Sequence, residues 1–500
     1  MTAHMTLGHW IRDRARVTPD RTAIDFEGRA VTYRDIDRDS AMLASEFGAR
    51  GLRRGDRVAV LADNCPEYTS LFFACARAGL VMTPLNWRLT APELAYQLDH
   101  SRAALLVVSS DRTDQGDAAV ESATHRPSRR VLEEPAAESG EVPDPGVEDD
   151  DPLLLIYTSG TTGRPKGAML SHANCFWTNL AIDRVMDVTT FDVVLQVLPQ
   201  FHVGGWNVQP LLAHWKGATV VLERSFDPGR ALALIASKRV TTMMGVPATY
   251  LFMAEHTDFA SADLSSLRMA VVGGAPMPEG LIRTWNDRGV SLVQGYGLSE
   301  ASPNVLGLPP EYAATKVGYA GKAYPHVEVA LQGPEGELLD GPATGELLVR
   351  GPSVFTGYWN DPEATAETLR DGWLHTGDVA ERDSDGFYRI RDRVKDMYIS
   401  GGENVYPAEV ESVLAEHPAV VEAAVLGLPD ERWGEVGVAV VATRDETTPE
   451  ELVAWCTVRL ASFKVPRRIH FVEALPRSGM NKILKRELAE WLAGREPDGD

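Results

Sequence analysis

The sequence predicts an α/β protein with a large N-terminal domain of layered βαβ sheets and a small C-terminal α+β domain. From Val58 onward, short apolar runs alternate with amphipathic stretches of helical length. Strands separated by such helices form βαβ units with largely parallel pairing. A chain of 500 residues also exceeds what one hydrophobic core usually contains. We place the boundary near Lys395, which gives domains at 1–394 and 395–500.

The predicted elements follow the chain in order. In the large domain they are strand 58–61, helix 67–78, strand 103–108, strand 219–222, helix 228–237, strand 241–244, helix 248–256, strand 269–272, helix 278–287 and strand 290–294. The polar stretch 111–151 ends in four acidic residues and is predicted to be a loosely structured connector. In the small domain, helices are predicted at 407–416, 449–460 and 484–492.

The composition argues against several classes of protein. A net charge of −22 disfavours non-specific binding to nucleic acid or to an anionic membrane. The four cysteines are scattered without metal-ligand spacing, which predicts free thiols in a reducing compartment. The N-terminus lacks the apolar core of a signal peptide, and no apolar run approaches the roughly 20 residues of a membrane span. We therefore expect a cytoplasmic protein without an integral membrane segment.

Residues 157–167 form the loop whose sequence is most informative about function. Their sequence is YTSGTTGRPKG, and the apolar run 153–156 before them predicts a buried strand. A Gly/Ser/Thr loop with a lysine presents backbone N–H groups, hydroxyls and a cation together, which is the chemistry needed to hold a polyphosphate. No Walker A sequence fits this loop. Loops that carry chemistry also follow Val272 and Val293, and ligands of parallel sheets bind at such strand ends.

The phosphate loop resembles that of the adenylate-forming enzymes, which comprise acyl- and aryl-CoA synthetases, luciferases and the adenylation domains of peptide synthetases. Further matches occur in the order of that family: GGAP at 273–276, GYGLSE at 295–300, TGD at 376–378, DRVKD at 392–396, GGENVYPAEVE at 401–411 and NKILKREL at 481–488. The resemblance implies the adenylate-forming fold with a small, mobile C-terminal domain. It also implies a carboxylic acid–CoA ligase that uses ATP, Mg²⁺ and CoA. Such an enzyme forms an acyl-adenylate with release of pyrophosphate, and then a thioester with release of AMP.

The resemblance assigns roles around the nucleotide. The residues matching the phosphate loop are Thr158, Ser159, Gly160, Thr161, Thr162, Gly163 and Lys166. The residues matching the adenine site are Gly273, Gly274, Ala275, Gln294, Gly295, Tyr296 and Gly297, with the Tyr296 ring stacked on the base. Ser299 would contact the α-phosphate, and Glu300 would hold Mg²⁺. Most family members have Thr where this chain has Ser299, but the hydroxyl is retained.

The ribose and the reacting carboxylate are assigned in the same way. Asp378 would accept hydrogen bonds from the ribose hydroxyls, as acidic residues do in dinucleotide sites, with Ile390 and Arg393 beside it. Lys482 would stabilise the charge that develops on the carboxylate and the α-phosphate. It joins Ser299, Glu300 and Lys166 as a predicted catalytic residue. The family usually has Gly before this lysine, whereas this chain has Asn481, a residue that tolerates left-handed backbone better than most.

The second half-reaction depends on the C-terminal residues. In CoA-forming relatives the loop that matches Gly401, Gly402 and Glu403 lines the pantetheine tunnel after the small domain has rotated, and Lys395 matches the hinge of that rotation. Aromatic side chains at the positions of Trp433 and Phe463 often stack on the CoA adenine in relatives. Arg88 is predicted to meet a CoA phosphate. Packing at a domain surface is an equally good explanation of these last three side chains.

The acyl pocket is predicted around His202, Trp206, Asn207, Tyr250 and Ser302. The pattern FHVGGWN at 201–207 with VPATY at 246–250 resembles fatty-acyl-CoA synthetases, so a medium- to long-chain fatty acid is favoured as substrate. The bulky Trp206 argues for medium-chain or aryl acids over very long chains. Two alternatives stay open: an aryl-acid ligase of the feruloyl or benzoate type, and a stand-alone adenylation enzyme that loads a carrier protein. The sequence does not fix the oligomeric state, and it allows a homodimer.

Overall fold

A computed structural model describes residues 5–136, 145–158, 165–275, 277–393, 396–400, 403–430, 433–460, 462–477 and 483–495. The side chains of Arg393, Glu403 and Asn404 lie outside this description. In the part of the chain that is described, no helix is long and apolar enough to cross a membrane.

The strands up to residue 297 are β1 (Thr22–Phe26), β2 (Arg29–Thr32), β3 (Arg57–Leu61), β4 (Val81–Pro84), β5 (Leu105–Val108), β6 (Ser128–Val131), β7 (Pro152–Thr158), β8 (Lys166–Ser171), β9 (Val193–Gln196), β10 (Thr219–Leu222), β11 (Thr242–Gly245), β12 (Met269–Val272) and β13 (Leu292–Gly297). The later strands are β14 (Asn304–Gly307), β15 (Lys322–Ala323), β16 (Glu328–Gln332), β17 (Ala343–Arg350), β18 (Gly357–Tyr358), β19 (Leu369–Arg370), β20 (Trp373–Arg382), β21 (Tyr388–Arg393), β22 (Tyr398–Ser400), β23 (Glu403–Val405), β24 (Val420–Asp430), β25 (Gly434–Thr443) and β26 (Arg468–Val472).

The helices are mostly short and lie between the strands. They are α1 (Gly8–Val17), α2 (Tyr33–Ala49), α3 (Pro66–Ala78), α4 (Ala91–Ser101), α5 (Thr113–Ser122), α6 (His172–Met186), α7 (Gly204–Asn207), α8 (Pro210–Lys216), α9 (Pro228–Lys238), α10 (Pro247–Glu255), α11 (Glu279–Asp287), α12 (Pro362–Thr368), α13 (Pro407–Ala415), α14 (Pro449–Thr457) and α15 (Lys485–Ala493). Single 3₁₀ turns occur at Ser110–Arg112, Ser299–Ala301 and Pro310–Tyr312.

Two large sheets build the N-terminal part. In the described residues, one sheet has the strand order β15-β14-β13-β12-β11-β9-β10-β1-β2, and the other has the order β18-β8-β7-β4-β3-β5-β6. The neighbours β9 to β13 pair in parallel, as the alternation of strands and helices predicts. Their inner faces pack with α9, α10 and α11 in one hydrophobic core. The α/β fold class and its parallel sheets are therefore confirmed.

The stretch 111–151 is more structured than predicted. It contains α5 and β6, and β6 adds to the edge of a sheet by parallel pairing with β5. The sequence of β6 is polar, but the buried Arg130 donates to Glu46 at 3.1 Å and to the Leu132 carbonyl oxygen at 3.1 Å. A buried guanidinium is tolerated when such partners satisfy it. Glu46 lies 84 positions earlier, so composition alone could not show this partner.

The C-terminal part is built on a sheet with the order β23-β22-β25-β24, to which β26 adds beside β25. Alternate residues of β24 and β25 face opposite sides. Val425 and Val441 pack with α13 and α14, while Leu426 and Val440 pack with α15. A sheet that is covered on both faces in this way forms a small α+β core of its own.

The chain divides into two compact units. The first contains Met1–Met277, Leu281–Val329 and Leu348–His375, and the second contains Pro278–Gly280, Ala330–Leu347 and Thr376–Asp500. The strands β16, β17, β20 and β19 form a sheet in that order, with β21 paired to β20. Residues 394 and 395 lie outside the described residues. The predicted boundary and hinge at Lys395 therefore stay predictions.

Candidate active site

The centre of the site is the carboxyl end of the neighbouring strands β12 and β13, whose register pairs Val272 with Gln294. The chain leaves β12 through Gly273 and through Gly274, whose φ of +84° favours glycine. A Cβ added to Gly273 would lie 3.1 Å from Met244 Cε and 3.3 Å from the Gly295 carbonyl oxygen. Two strands therefore present bare backbone here, as the predicted adenine site requires.

Close packing of the backbone continues along β13. A Cβ added to Gly297 would collide with the backbone at Pro303, so only glycine fits at this position. The Gln294 amide accepts from the Met277 N–H and donates to the Tyr319 carbonyl oxygen, both at 3.3 Å. Its side chain thus ties the strand to the turn before α11. Tyr296 is half-buried on this strand, opposite Leu306 of β14.

Glu300 lies in the 3₁₀ turn that follows β13, one residue after Ser299. Its Oε1 accepts a hydrogen bond of 2.7 Å from the Tyr358 hydroxyl. Its carbonyl oxygen accepts from the Phe355 N–H at 2.8 Å. Burial, together with the Glu300 carboxylate, raises the pKa of Tyr358 far above its usual range. The phenol therefore stays protonated and acts as a donor to the carboxylate.

Glu300 can hold Mg²⁺ in this arrangement. This ion is usually bound by one or two carboxylates together with substrate phosphates. The hydrogen bond from Tyr358 uses Oε1, and an ionised carboxylate offers further lone pairs on both oxygens. In the described residues, no group of three or more His, Cys, Asp and Glu side chains could hold a metal ion.

Lys166 begins β8, and its register partner in β7 is Thr158. The phosphate loop therefore connects two antiparallel strands, and it does not open a helix. Lys166 Nζ lies 5.3 Å from the centroid of the Tyr358 ring. The predicted phosphate-binding residues Ser159, Gly160, Thr161, Thr162 and Gly163 lie outside the described residues.

Aromatic side chains form hydrogen bonds at both ends of the phosphate loop. The Tyr157 hydroxyl lies 2.9 Å from His100 Nδ1 before the loop, and the Tyr96 hydroxyl donates to the Pro165 carbonyl oxygen at 3.1 Å after it. The rings of Tyr96 and His100 stack on α4. Trp359 joins this cluster, because its indole N–H donates to the His100 carbonyl oxygen at 3.1 Å. No motif marked Tyr96, His100, Tyr358 or Trp359 in the sequence, since their partners lie far along the chain.

The predicted ribose residues lie on the strand pair β20 and β21. Asp378 is buried opposite Arg393 in the register of that pair, and Ile390 lies opposite Ala380. The Asp378 N–H donates to Thr376 Oγ1 at 3.1 Å. The backbone thus brings the two charged ribose residues together. The predicted catalytic Lys482 lies outside the described residues, as does Asn481 before it.

The predicted CoA residues are described in part. Gly401 and Gly402 lie outside the described residues, and Glu403 begins β23. The Trp433 N–H donates to Asp430 Oδ1 at 2.9 Å, and the Arg467 guanidinium lies 5.3 Å from its ring. Phe463 packs against the core of the C-terminal sheet. These contacts fit a packing role, and CoA binding stays a prediction.

Arg88 lies between two aromatic rings. Its guanidinium carbon is 4.7 Å from the Trp87 ring centroid and 5.4 Å from that of Phe201. Burial lowers its pKa, which expresses the cost of removing a guanidinium from water. An anionic group would offset this cost, so the site is compatible with the predicted phosphate contact.

Two of the predicted acyl-pocket residues lie in packed cores. The Trp206 indole is buried, stacks on the Phe72 ring at 4.7 Å, and donates to the Gln200 carbonyl oxygen at 2.6 Å. The Tyr250 ring packs against Trp285, and its hydroxyl donates to the Val271 carbonyl oxygen at 2.8 Å. Packing thus accounts for both aromatic side chains, and a pocket role stays a prediction.

The other three residues of that group lie in polar or mixed surroundings. The His202 ring lies 4.5 Å from the Phe201 ring in a tilted arrangement, and burial together with the nearby Arg88 charge lowers its pKa to about 4. Asn207 is buried, and its amide oxygen accepts from Asn179 at 3.1 Å. The buried Ser302 hydroxyl has no hydrogen-bond partner among the described residues.

A small cavity lies between β9, β11 and the segment that contains α7 and α8. The residues that line it are Val194, Leu195, Gln196, Leu198, Gly204, Gln209, Pro210 and Met244. Met244 also approaches Gly273, so this cavity borders the predicted adenine site. The five predicted acyl residues are not among these lining residues, although Gly204 belongs to α7 together with Trp206 and Asn207. The acyl-pocket residues predicted from the sequence therefore stay a prediction.

Comparisons with known proteins identify the family of this chain. The AMP-binding enzyme family matches residues 11–359, and its C-terminal domain matches residues 409–482. A feruloyl-CoA synthase from Amycolatopsis is 46% identical over 96% of this chain and 98% of that protein. The long-chain-fatty-acid–CoA ligase FadD13 from Mycobacterium tuberculosis is 36% identical over 98% of this chain and 99% of that protein.

A solved structure shows the same architecture. It is the O-succinylbenzoate CoA synthetase from Bacillus subtilis in complex with ATP and magnesium ion, with a TM-score of 0.87 and 32% identity over 96% of this chain and 99% of that chain. Glycine-lined strand ends beside the half-buried Glu300–Tyr358 pair suit a nucleotide and its metal, and the family matches cover both parts of the chain. The chain therefore belongs to the AMP-binding enzyme family and is an acid–CoA ligase that uses ATP, Mg²⁺ and CoA.

Proposed function

We propose that this ligase activates an aromatic carboxylic acid that carries a hydroxyl group on its ring. The feruloyl-CoA synthase is the more similar of the two relatives described above. A fatty acid, which the sequence pattern favoured, remains the second candidate because FadD13 also matches nearly the whole chain. The two candidate acids differ at the end opposite the carboxylate, where one has a phenolic hydroxyl and the other has an alkyl chain. The residues that line the cavity therefore help to decide between the two acids.

The observation that carries the proposal is the amide of Gln209. It is buried at the wall of the cavity, and its nitrogen donates to Thr242 Oγ1 at 2.7 Å. Its oxygen is buried without a hydrogen-bond partner among the described residues. Leaving a buried acceptor unsatisfied costs about 1–3 kcal/mol. A phenolic hydroxyl would donate to this oxygen, whereas an alkyl chain would leave it unsatisfied.

The described residues suggest how the first half-reaction proceeds. Lys166 would neutralise phosphate charge, and the bare backbone at Gly273 and Gly295 would let the adenine approach closely. When bound to Glu300 and the phosphates, Mg²⁺ would supply further positive charge where negative charge develops. The acid would place its carboxylate for in-line attack on the α-phosphate, with its ring directed toward Gln209, where the cavity of about 10 Å³ must widen to admit it. Holding both anions in this geometry is the main task of the protein.

A panel of acids tests the proposal directly. AMP release with ATP and CoA is measured for 4-hydroxycinnamate, unsubstituted cinnamate, 4-methoxycinnamate, and saturated acids of eight and sixteen carbons. We expect the hydroxylated acid to have the highest kcat/KM. A site that hydrogen-bonds a substrate hydroxyl can reject an analogue without it by large factors. A preference for either saturated acid would overturn the aryl assignment and favour the fatty-acid alternative.

A paired substitution then tests the role of the amide. Gln209→Met keeps the length of the side chain but removes the acceptor, so it should abolish most of the preference for the hydroxylated acid over unsubstituted cinnamate. Gln115→Met is the matched control, because the oxygen of Gln115 is also buried without a partner among the described residues, but Gln115 lies on α5 away from the cavity lining. An unchanged preference in Gln209→Met would contradict this role.

A further inference from the structure

Tyr358 lies between the two oppositely charged side chains of the candidate nucleotide site. It ends the short strand β18, which pairs with β8 through Tyr358 and Ala168. Its hydroxyl donates to Glu300 Oε1 at 2.7 Å, and Lys166 Nζ lies 5.3 Å from the centroid of its ring. One neutral side chain thus contacts the predicted metal ligand with its hydroxyl and the predicted phosphate-binding cation with its ring.

The backbone and neighbouring side chains hold Tyr358 in place. Its N–H donates to Thr365 Oγ1 at 2.9 Å, and its ring meets the edge of Phe355 at 4.9 Å. The Phe355 N–H in turn donates to the Glu300 carbonyl oxygen at 2.8 Å. The 3₁₀ turn of Glu300 and the strand of Tyr358 are therefore joined through backbone and side chain together. Such a double connection fixes the direction of the carboxylate.

The ring also affects how the two charges interact. Among the described residues no ion pair joins Lys166 to Glu300, whose Oε1 accepts from the Tyr358 hydroxyl. Lys166 lies within the distance at which an aromatic ring attracts a cation. The protonated hydroxyl satisfies one oxygen of Glu300. Each charge is thereby stabilised by Tyr358 and remains available for a ligand.

We propose that Tyr358 is a positioning residue for adenylate formation, which directs Glu300 toward Mg²⁺ and holds Lys166 toward the phosphates while keeping the two from pairing. This inference rests on the nucleotide roles proposed for Glu300 and Lys166, and it does not depend on which acid is the substrate. Outer residues that orient a metal ligand typically change metal affinity by about 10–100-fold when they are replaced.

Two substitutions separate the hydroxyl from the ring. Tyr358→Phe removes the bond to Glu300 and keeps the ring under Lys166, whereas Tyr358→Leu removes both. Tyr33→Phe is the matched control. The buried Tyr33 hydroxyl donates to the Ala218 carbonyl oxygen at 2.6 Å, and its hydrogen bond does not involve Glu300. All three variants are first compared by thermal unfolding, so that a general loss of folding is recognised.

The test measures metal and nucleotide binding as well as turnover. Binding of ATP is followed by titration calorimetry at several Mg²⁺ concentrations, and Mn²⁺ bound in the presence of ATP is followed by electron paramagnetic resonance. We expect Tyr358→Phe to raise the metal concentration for half-maximal ATP binding by about tenfold, with recovery at saturating metal. We expect Tyr358→Leu also to weaken ATP binding at saturating metal, because Lys166 loses its contact with the ring.

The outcomes are distinguishable from failure of the aryl assignment, since the binding measurements require no acid. Pyrophosphate exchange with any acid that the enzyme accepts should show the same shift in metal dependence for Tyr358→Phe. An unchanged metal dependence in Tyr358→Phe, or an equal change in Tyr33→Phe, would overturn the proposal. A loss in Tyr358→Leu that saturating metal fully restores would overturn the part that concerns Lys166.

Discussion

The two sides of the candidate site are built on different principles. The nucleotide side, at the ends of β12 and β13, consists of bare backbone at Gly273, Gly295 and Gly297. The proposed acid side, from β9 through α7 and α8, consists of buried side chains such as Trp206 and the amide of Gln209. Both sides belong to the same sheet and are separated by only the width of β11.

This difference explains which properties can vary. Backbone that must approach a ligand closely admits only glycine, so the nucleotide side tolerates few changes and keeps a motif that can be recognised. Packed side chains admit many combinations of similar volume, so the acid side can change its substrate without changing the fold. The predictions below test whether the nucleotide side is set by backbone sterics and the acid side by packing.

The largest effect is expected for Gly297→Ala. An added Cβ would collide with backbone atoms of Pro303, which cannot turn away as a flexible side chain can. We expect adenylate formation, measured by pyrophosphate exchange, to fall by at least about 10²-fold, because a shift of 1 Å at a reacting site can cost that much. Gly48→Ala is the control, since nothing lies within 4 Å of an added Cβ on that helix.

The control should be neutral or stabilising by up to about 1 kcal/mol, as expected when alanine replaces a glycine in a helix. Normal exchange rates in Gly297→Ala would show that β13 and Pro303 can move apart. The nucleotide side would then be less rigid than its steric description implies.

Trp206→Ala tests the acid side. The indole stacks on Phe72 and donates to the Gln200 carbonyl oxygen, so truncation should lower the free energy of unfolding by about 3–5 kcal/mol. Denaturant unfolding measures this directly. In the folded variant, acid preference should also shift toward longer acids if the vacated volume joins the neighbouring cavity. A loss below about 1 kcal/mol would show that the indole faces an open pocket and is not part of the packed core.

The sequence predicted the nucleotide side of the candidate site better than the acid side. The strands that end at Val272 and near Gln294, and the glycines that follow, were located because steric need leaves a local pattern. Tyr358 was missed because its partner Glu300 lies 58 positions away, and nothing local marks such a contact. Gln209 was missed for the same reason, since a buried amide matters only when its surroundings are known.

A smaller effect is expected from His214, which lies on α8 in the packed region. Burial lowers its pKa to about 4, and its ring meets those of Tyr33 and Phe73. In the unfolded chain its pKa would be about 6.5. As pH falls from 6.5 toward 4, the unfolded state binds a proton that the folded state does not. The free energy of unfolding therefore decreases over this pH range, whereas above pH 6.5 His214 causes no such loss.

The loss should amount to about 1.4 kcal/mol per pH unit for this one group. His172 and His202 have the same lowered pKa, with burial as the main cause, so wild type should lose stability through all three. His214→Gln removes one of these three contributions, and the slope of unfolding free energy against pH between 6 and 5 should become correspondingly shallower. An unchanged slope would show that His214 is not neutral in the folded protein.

The smallest effect is expected for Tyr250→Phe, and it separates the two explanations of that residue most sharply. As a core residue, Tyr250 loses the hydrogen bond from its hydroxyl to the Val271 carbonyl oxygen at 2.8 Å and the longer one to the Met243 carbonyl oxygen at 3.5 Å, which should lower the free energy of unfolding by about 1 kcal/mol. Its ring would still fill the same volume against Trp285, so kcat/KM for hydroxylated and unsubstituted acids should change in equal proportion.

As a pocket residue, Tyr250 would contact the acid through its hydroxyl, and the ratio of the two kcat/KM values would change while stability did not. Because Val271 lies in β12, which leads directly into Gly273, a structural role also predicts a slight weakening of ATP binding without any change in acid preference. Unfolding measurements and the ratio of kcat/KM values from the same preparation therefore assign Tyr250 to one side of the site or to the core between them.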